Sequence, residues 1–93
     1  MPWSWLPIAL RHLTDVEPGE VLQALSASRR WPRPAVAQDT GVRALVIWAR
    51  TRADRPLKVA VRQVEGREWQ IIAAQELTPD ETLQLEIWEE GRS

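Results

Sequence analysis

The chain has 93 residues and a net charge of −1, with 44% hydrophobic and 27% charged residues. This size and composition predict one globular domain, residues 1–93, built around one core. No apolar run approaches the roughly 20 residues that a membrane span needs, so we expect no membrane association.

Cysteine is absent and histidine occurs once. These counts exclude disulfide bonds and thiolate chemistry and argue against a structural zinc site. The first residues lack the basic segment and the unbroken apolar segment of a secretion signal. We therefore expect a cytoplasmic protein without metal or cofactor.

Charge is distributed unevenly along the chain. Residues 41–75 carry seven basic and three acidic side chains, whereas residues 76–93 carry one basic and six acidic side chains. Eleven of the twelve basic residues are arginines, a bias typical of GC-rich coding, so arginine content alone does not indicate nucleic-acid binding. The sequence predicts a basic sheet beside an acidic helix.

The first part of the chain predicts two helices. Residues 4–13 place four apolar side chains on one helical face, and Pro18 begins a second helix that ends near residues 26–28. Residues 30–34 contain two prolines, which exclude a central strand and leave a loop or an edge strand. Residues 38–41 are typical of a turn.

Three strands and a helix follow. Residues 42–50, 57–64 and 68–75 have apolar patterns typical of strands, and their short connections predict an antiparallel sheet. Thr78 and Glu81 have the spacing of a capping box for a helix from Pro79 to about residue 90, with Gly91 as its C-terminal cap. The predicted fold class is α+β: two N-terminal helices, a three- to four-stranded antiparallel sheet, and a C-terminal helix packed on it.

The six tryptophans are the only aromatic residues. They either fill the core between sheet and helix or form an exposed base-stacking surface. Trp3 and Trp31 suit both interpretations, and Trp69 and Trp88 favour the first. We expect one core formed by Val59, Val61, Trp69, Ile71, Leu85 and Trp88.

The strand at residues 57–64 alternates between apolar and basic side chains. Lys58 and Arg62 should point away from Leu57, Val59 and Val61. Three further arginines from the neighbouring strand end and hairpin could join them: Arg50, Arg52 and Arg67. Such a cluster would neutralise phosphates; the alternative is a solvated basic face partly paired with Glu65, Glu68 or the acidic helix.

The remaining ionisable residues carry weaker signals. His12 is a candidate general base, with capping or packing at the end of the first helix as the alternative. Glu86, Glu89 and Glu90 are interpreted as the exposed face of the last helix, where a basic partner surface would favour them. No catalytic triad, glycine-rich phosphate loop or paired-carboxylate arrangement can be recognised.

Three segments in order resemble a known family. Residues 12–21 (HLTDVEPGEV) are similar to the helix junction of the BrnT-like toxins in the RelE/ParE superfamily. Residues 49–51 (ART) and 55–59 (RPLKV) resemble the family's Gly-Arg-Thr strand end and its Gly-Arg-x-Leu strand. Residues 71–81 (IIAAQELTPDE) look like its Ile-Ile-Ser-Ala-Arg-x-x-Thr-x-x-Glu segment. The resemblance covers about residues 10–90.

The resemblance implies a type II toxin–antitoxin protein: a metal-independent ribonuclease that binds RNA and is held inactive by a cognate antitoxin. By position, Arg50 matches the family arginine of Gly-Arg-Thr, and Lys58 and Arg62 are its neighbours on the sheet. These three are the candidate catalytic residues, and the candidate binding residues are His12, Arg52, Arg67 and Gln75.

The chain departs from the family pattern at two places. Gln75 stands where the family has arginine, and the C-terminal helix is acidic instead of basic. Loss of a cation where charge develops in the transition state would cost on the order of 10²-fold or more in rate. The sequence therefore predicts a weak or inactive ribonuclease, with a non-catalytic protein- or nucleic-acid-binding module on the same fold as the alternative.

Overall fold

A five-stranded mixed sheet organises the chain. The computed structural model describes residues 3–36, 43–64 and 68–91. Their elements are, in order, β1 (Trp3–Trp5), α1 (Pro7–Arg11), α2 (Pro18–Leu25), β2 (Arg30–Val36), β3 (Arg43–Arg50), β4 (Pro56–Gln63), β5 (Trp69–Glu76) and α3 (Pro79–Gly91). The strand order is β1-β5-β4-β3-β2, with β1 parallel to β5 and the other neighbours antiparallel.

This architecture confirms the α+β class and the antiparallel pairing of β3, β4 and β5. The prediction of the sheet is wrong in two respects. The sheet of the described residues has five strands instead of three or four, and its β1–β5 pair is parallel. The predicted turn at residues 38–41 and the hairpin residues 65–67 lie outside the described residues.

The predicted helix over residues 4–13 is wrong in its extent. Trp3–Trp5 forms a strand beside β5, and α1 covers only Pro7–Arg11. Pro7 explains the boundary, because the residue before a proline is driven out of the helical region. Leu6 is accordingly extended, with φ −67° and ψ 122°, and Pro7 takes the first helical turn.

The second helix begins at Pro18, as predicted. The backbone N–H of Glu17 donates to Oε1 of Glu20 over 3.1 Å, which satisfies a donor at the helix start. Val21 and Leu25 are buried beneath the helix. α2 packs on β3 and β4 and covers one face of the sheet.

The proline-bearing segment, residues 30–34, belongs to an edge strand. β2 pairs with β3 on one side and is the last strand in the order. Pro32 and Pro34 lack the N–H that a strand on a second side would require. The structure therefore selects the edge strand over the loop.

Two apolar clusters lie on opposite faces of the sheet. The cluster beneath α2 contains Val16, Val21, Ala24, Leu25, Ile47, Ala49, Leu57, Val59, Val61, Ile71 and Ala74. The cluster beneath α3 contains Trp48, Leu77 and Leu85, with Trp31, Val46 and Trp88 packed against it. The predicted single core is wrong, because strand alternation sends Val59, Val61 and Ile71 to one face while α3 brings Leu85 and Trp88 to the other.

The tryptophans divide between the same two clusters. Trp48 is buried, and the other five are partly buried against one cluster or the other. Trp31 stacks on Trp88 with ring centroids 5.4 Å apart and meets the Trp48 ring edge-on at 5.5 Å. The packing interpretation therefore holds for all six, Trp3 and Trp31 included.

The last helix starts with the predicted capping box. The N–H of Thr78 donates to Oε1 of Glu81 over 2.9 Å, and the N–H of Glu81 donates to Oγ1 of Thr78 over 3.2 Å. The helix includes Gly91, so this residue does not follow the helix as the predicted cap would. Within the described residues, no helix is long and apolar enough to cross a membrane.

Candidate functional site

β4 presents different chemistry on its two sides, as predicted. Leu57, Val59 and Val61 are 0% exposed and face the α2 cluster. Lys58 and Arg62 alternate with them and are partly buried on the α3 side. The sheet register places Lys58 between Trp48 of β3 and Gln75 of β5. The candidate basic site is therefore on the face that α3 partly covers.

Lys58 is bonded to a carboxylate of α3. Its Nζ donates to both oxygens of Glu81, at 2.8 and 3.1 Å. This contact, followed by the backbone N–H of Thr78, lowers the pKa of Glu81 below its ordinary value of 4.5. The residue that caps α3 thus also neutralises the lysine.

Arg50 is held by a second carboxylate from the same helix. Its Nε lies 3.0 Å from Oε2 of Glu89, and its Nη2 lies 3.1 Å from Oε1. Its Nη1 donates to the backbone carbonyl of Asp54 over 3.1 Å. The hydrogen bond to Glu89 is the main cause that raises the pKa of Arg50. The guanidinium therefore has its planar donors committed to groups of its own chain.

Glu89 differs from the sequence interpretation, which placed it on an exposed face. Its side chain is 20% exposed and is turned towards Arg50. Glu81, Leu85 and Glu89 are spaced four residues apart and share one side of α3. The sequence analysis offered pairing of the basic face with the acidic helix as an alternative, without using that spacing. The structure confirms this alternative for Arg50 and Lys58.

Arg62 is engaged differently from the other two candidate catalytic residues. Its Nε donates to Oε1 of Gln70 on β5 over 2.8 Å. Among the described residues, no carboxylate lies within ion-pair distance of it. The register of β4 against β5 shifts between Ala60 and Val61, so Arg62 lies opposite Gln70 whereas Lys58 lies opposite Gln75. The three candidate cations therefore do not form one free cluster.

The candidate binding residues lie at two further clefts. Gln75 and His12 both line a cleft of about 310 Å³ between the end of α1 and β5, with Thr14 beside them. Arg52 lines a cleft of about 570 Å³ between α2 and the β3–β4 turn, together with Arg50. Arg67 lies outside the described residues.

Arg55 forms ionic contacts that the sequence analysis did not single out. Its Nη1 lies 2.8 Å from Oε1 of Glu20 and its Nε lies 3.0 Å from Oε2 of Glu76. These bonds, first to Glu76 and then to Glu20, raise the pKa of Arg55. They tie the β3–β4 turn to α2 and to the end of β5. Their role is structural, and no local sequence pattern identifies partners 35 and 21 residues away.

The donor set on the described surface does not assemble a metal site. Within residues 3–36, 43–64 and 68–91, no group of three or more His, Cys, Asp or Glu side chains could hold a metal ion. The chemistry available on the α3 side is that of paired charges, amides and tryptophan rings.

Comparison with protein-family models, with curated proteins and with solved structures found no match for this chain.

Proposed function

We propose that this chain is a divergent toxin-like protein that has lost ribonuclease chemistry and serves as a protein-binding module. In a toxin–antitoxin pair its partner would be a cognate antitoxin. The observation that carries the proposal is the bonding of Arg50 and Lys58 to Glu89 and Glu81 of α3.

The ion pairs oppose phosphate chemistry in two ways. A phosphate would have to displace a carboxylate that already occupies the donors of Arg50 or Lys58. It would also approach the negative charges of Glu81 and Glu89, which are repulsive at short range. Catalytic stabilisation of a developing anion depends on donors that are oriented and uncommitted. Arg50 and Lys58 are oriented, but they are already bonded to Glu89 and Glu81.

Gln75 supports the same proposal. It lies opposite Lys58 in the β4–β5 register and is exposed. Its amide donates hydrogen bonds without positive charge, whereas an arginine there would bring a delocalised cation to the site. Gln75→Arg alone is therefore expected to restore little, because the two neighbouring cations stay neutralised by α3.

The test is a set of RNA measurements on matched variants. The parent, Glu81→Gln/Glu89→Gln, and a triple variant that adds Gln75→Arg are compared for cleavage and for binding of a short single-stranded RNA at low salt. We expect no cleavage by the parent and a gain of RNA affinity in the double variant. Each phosphate newly neutralised should steepen the salt dependence of log affinity by about 0.7.

The control removes the same number of charges from groups that bond neither cation. Asp15→Asn/Glu68→Gln should leave RNA affinity well below that of the double variant. Asparagine tolerates the positive φ of Asp15, which is 60°, so this control should fold normally. Robust cleavage by the parent that is abolished in Arg50→Ala would overturn the proposal and establish a ribonuclease.

A further inference from the structure

The outward side of α3 carries an apolar strip. Leu83 is 57% exposed and Ile87 is 62% exposed, the highest values among the large hydrophobic side chains of the described residues. They are four residues apart, one helical turn, and therefore lie side by side about 6 Å apart along the axis. Burial of such side chains is favourable, so this strip suits an apolar contact that none of the described residues makes.

A groove continues the strip towards the edge of the sheet. It has a volume of about 350 Å³ and is lined by Trp31, Gln84, Ile87 and Trp88. Trp31 and Trp88 are stacked within 3° of parallel, which gives the groove a flat aromatic wall. Ile87 belongs to both features, so strip and groove form one surface. We call it the α3 surface: Trp31, Leu83, Gln84, Ile87 and Trp88.

The charges on α3 have one sign, and the one cation of the described residues seen against the wall of the groove is Arg33 of β2, whose guanidinium lies 4.7 Å from the centroid of the Trp31 ring. Every ionisable side chain on α3 is acidic, from Asp80 in the first turn to Glu90 near the end. Glu81 and Glu89 turn inwards to Lys58 and Arg50. Glu86 and Asp80 are exposed.

We propose that the α3 surface docks a basic amphipathic helix of a partner protein. The inference rests on the proposed function and names the chemistry of its partner. An apolar ridge with i, i+4 spacing fits beside Leu83 and Ile87, and lysines or arginines flanking the ridge meet the exposed carboxylates of Asp80 and Glu86. The same carboxylates repel nucleic acid and anionic lipid, which leaves a cationic protein segment as the complementary occupant.

The probe is a synthetic peptide of about 18 residues, long enough for five helical turns, with leucines on one helical face and lysines elsewhere. Two comparison peptides carry glutamate in place of lysine, or alanine in place of leucine. Fluorescence anisotropy should show binding of the Leu/Lys peptide alone, weakening as salt is raised. Leu83→Ser/Ile87→Ser should weaken binding roughly 10-fold or more, since burying one leucine-sized side chain changes an affinity by about that factor.

Two control variants make the test specific. Ile8→Ser on α1 removes a side chain of similar exposure, 54%, and should leave affinity unchanged. Glu86→Gln should lower affinity at low salt and flatten the salt dependence. The proposal is overturned if the Leu/Glu peptide binds equally well, or if Leu83→Ser/Ile87→Ser binds like the parent.

Sedimentation of the parent without peptide gives a third outcome. A dimer that disappears in Leu83→Ser/Ile87→Ser would identify a second copy of this chain as the occupant. It would overturn the proposal that the occupant is a helix of a different protein. These outcomes are separate from those for the proposed function. RNA cleavage by the parent would refute the proposed loss of ribonuclease activity without bearing on peptide binding. Failure of peptide binding would refute the docking proposal without bearing on the loss of ribonuclease activity.

Discussion

The two faces of the sheet meet their helices by different physical means. Beneath α2, Leu57, Val59, Val61 and Ile71 are 0% exposed within an apolar cluster, and the Arg55–Glu20 ion pair lies at its margin. Beneath α3, a small cluster around Leu85 is bordered by the ion pairs of Lys58 and Arg50. Among the described residues, the α2 cluster contains eleven buried residues and the α3 cluster three, so the first face contributes more of the apolar stabilisation.

The difference shows how one strand can serve stability and charge placement together. Adjacent residues on β4 take opposite roles, since Leu57 is fully buried and Lys58 forms an ion pair. An ion pair that remains partly exposed adds little to stability. The ion pairs of the α3 face instead fix the orientation of the helix and neutralise Lys58 and Arg50.

Leu57→Ala should have the largest effect on stability. The side chain is 0% exposed within the α2 cluster, and its truncation leaves a cavity between sheet and helix. We expect a loss of about 3–5 kcal/mol in unfolding free energy, measured by urea denaturation. Lys58→Ala on the other face should cost about 1 kcal/mol or less. Equal losses would contradict the distinction between the faces.

Leu85→Ala should have an intermediate effect. The side chain is 1% exposed, but its cluster holds only two other buried residues, so neighbouring groups can relax into the space. We expect a loss of about 2–3 kcal/mol in unfolding free energy. Hydrogen exchange should also accelerate in α3 more than in β4, because the helix would no longer have its main apolar anchor. Uniform acceleration along the chain would show that α3 and the sheet unfold as one unit.

Glu89→Gln should have a smaller effect, a loss of about 1 kcal/mol in unfolding free energy, because partly exposed ion pairs add little and the amide oxygen still accepts a hydrogen bond from Arg50. Both partners are about one-fifth exposed. Thermal unfolding of Glu89→Gln beside Glu86→Gln is the measurement, since Glu86 is exposed on the same helix. A loss in Glu86→Gln as large as that in Glu89→Gln would indicate a general charge effect.

The smallest expected effect is a pH dependence from Glu81. Its pKa is lowered in the folded protein by Lys58 and by Thr78. Its contribution to stability is therefore full above the unfolded value of 4.5 and is lost as pH falls through the lower folded value. Below about pH 5, unfolding free energy should fall more steeply for the parent than for Glu81→Gln. Parallel curves would show that Glu81 does not contribute to the pH dependence of the unfolding free energy.

Much of the fold could be predicted from local patterns. The α+β class, the pairing of β3, β4 and β5, and the starts of α2 and α3 follow from alternation and capping, which are properties of neighbouring residues. β1 could not be predicted, because three residues of Trp-Ser-Trp become a strand only through pairing with β5, more than 60 residues later. The two-cluster core was missed for a similar reason: no local pattern states which face a helix will cover.

The candidate site could be predicted only in its composition. Alternation correctly placed Lys58 and Arg62 opposite Val59 and Val61, and the acidic helix was recognised as one potential partner of the basic face. Which carboxylates pair with which cations depends on how α3 lies across the sheet. The spacing of Glu81 and Glu89 around Leu85 is the sequence signal that identifies the paired carboxylates. It can be interpreted only once Leu85 is known to face inwards.

The parallel pairing of β1 with β5 constrains the order in which the protein can be assembled. Trp3, Ser4 and Trp5 find their register only against Trp69, Gln70 and Ile71. During synthesis the first strand must therefore wait, with two tryptophans uncovered, until the last strand has left the ribosome. Pairing at such sequence separation slows folding. The interval leaves apolar surface exposed, which favours misassembly until the two strands pair.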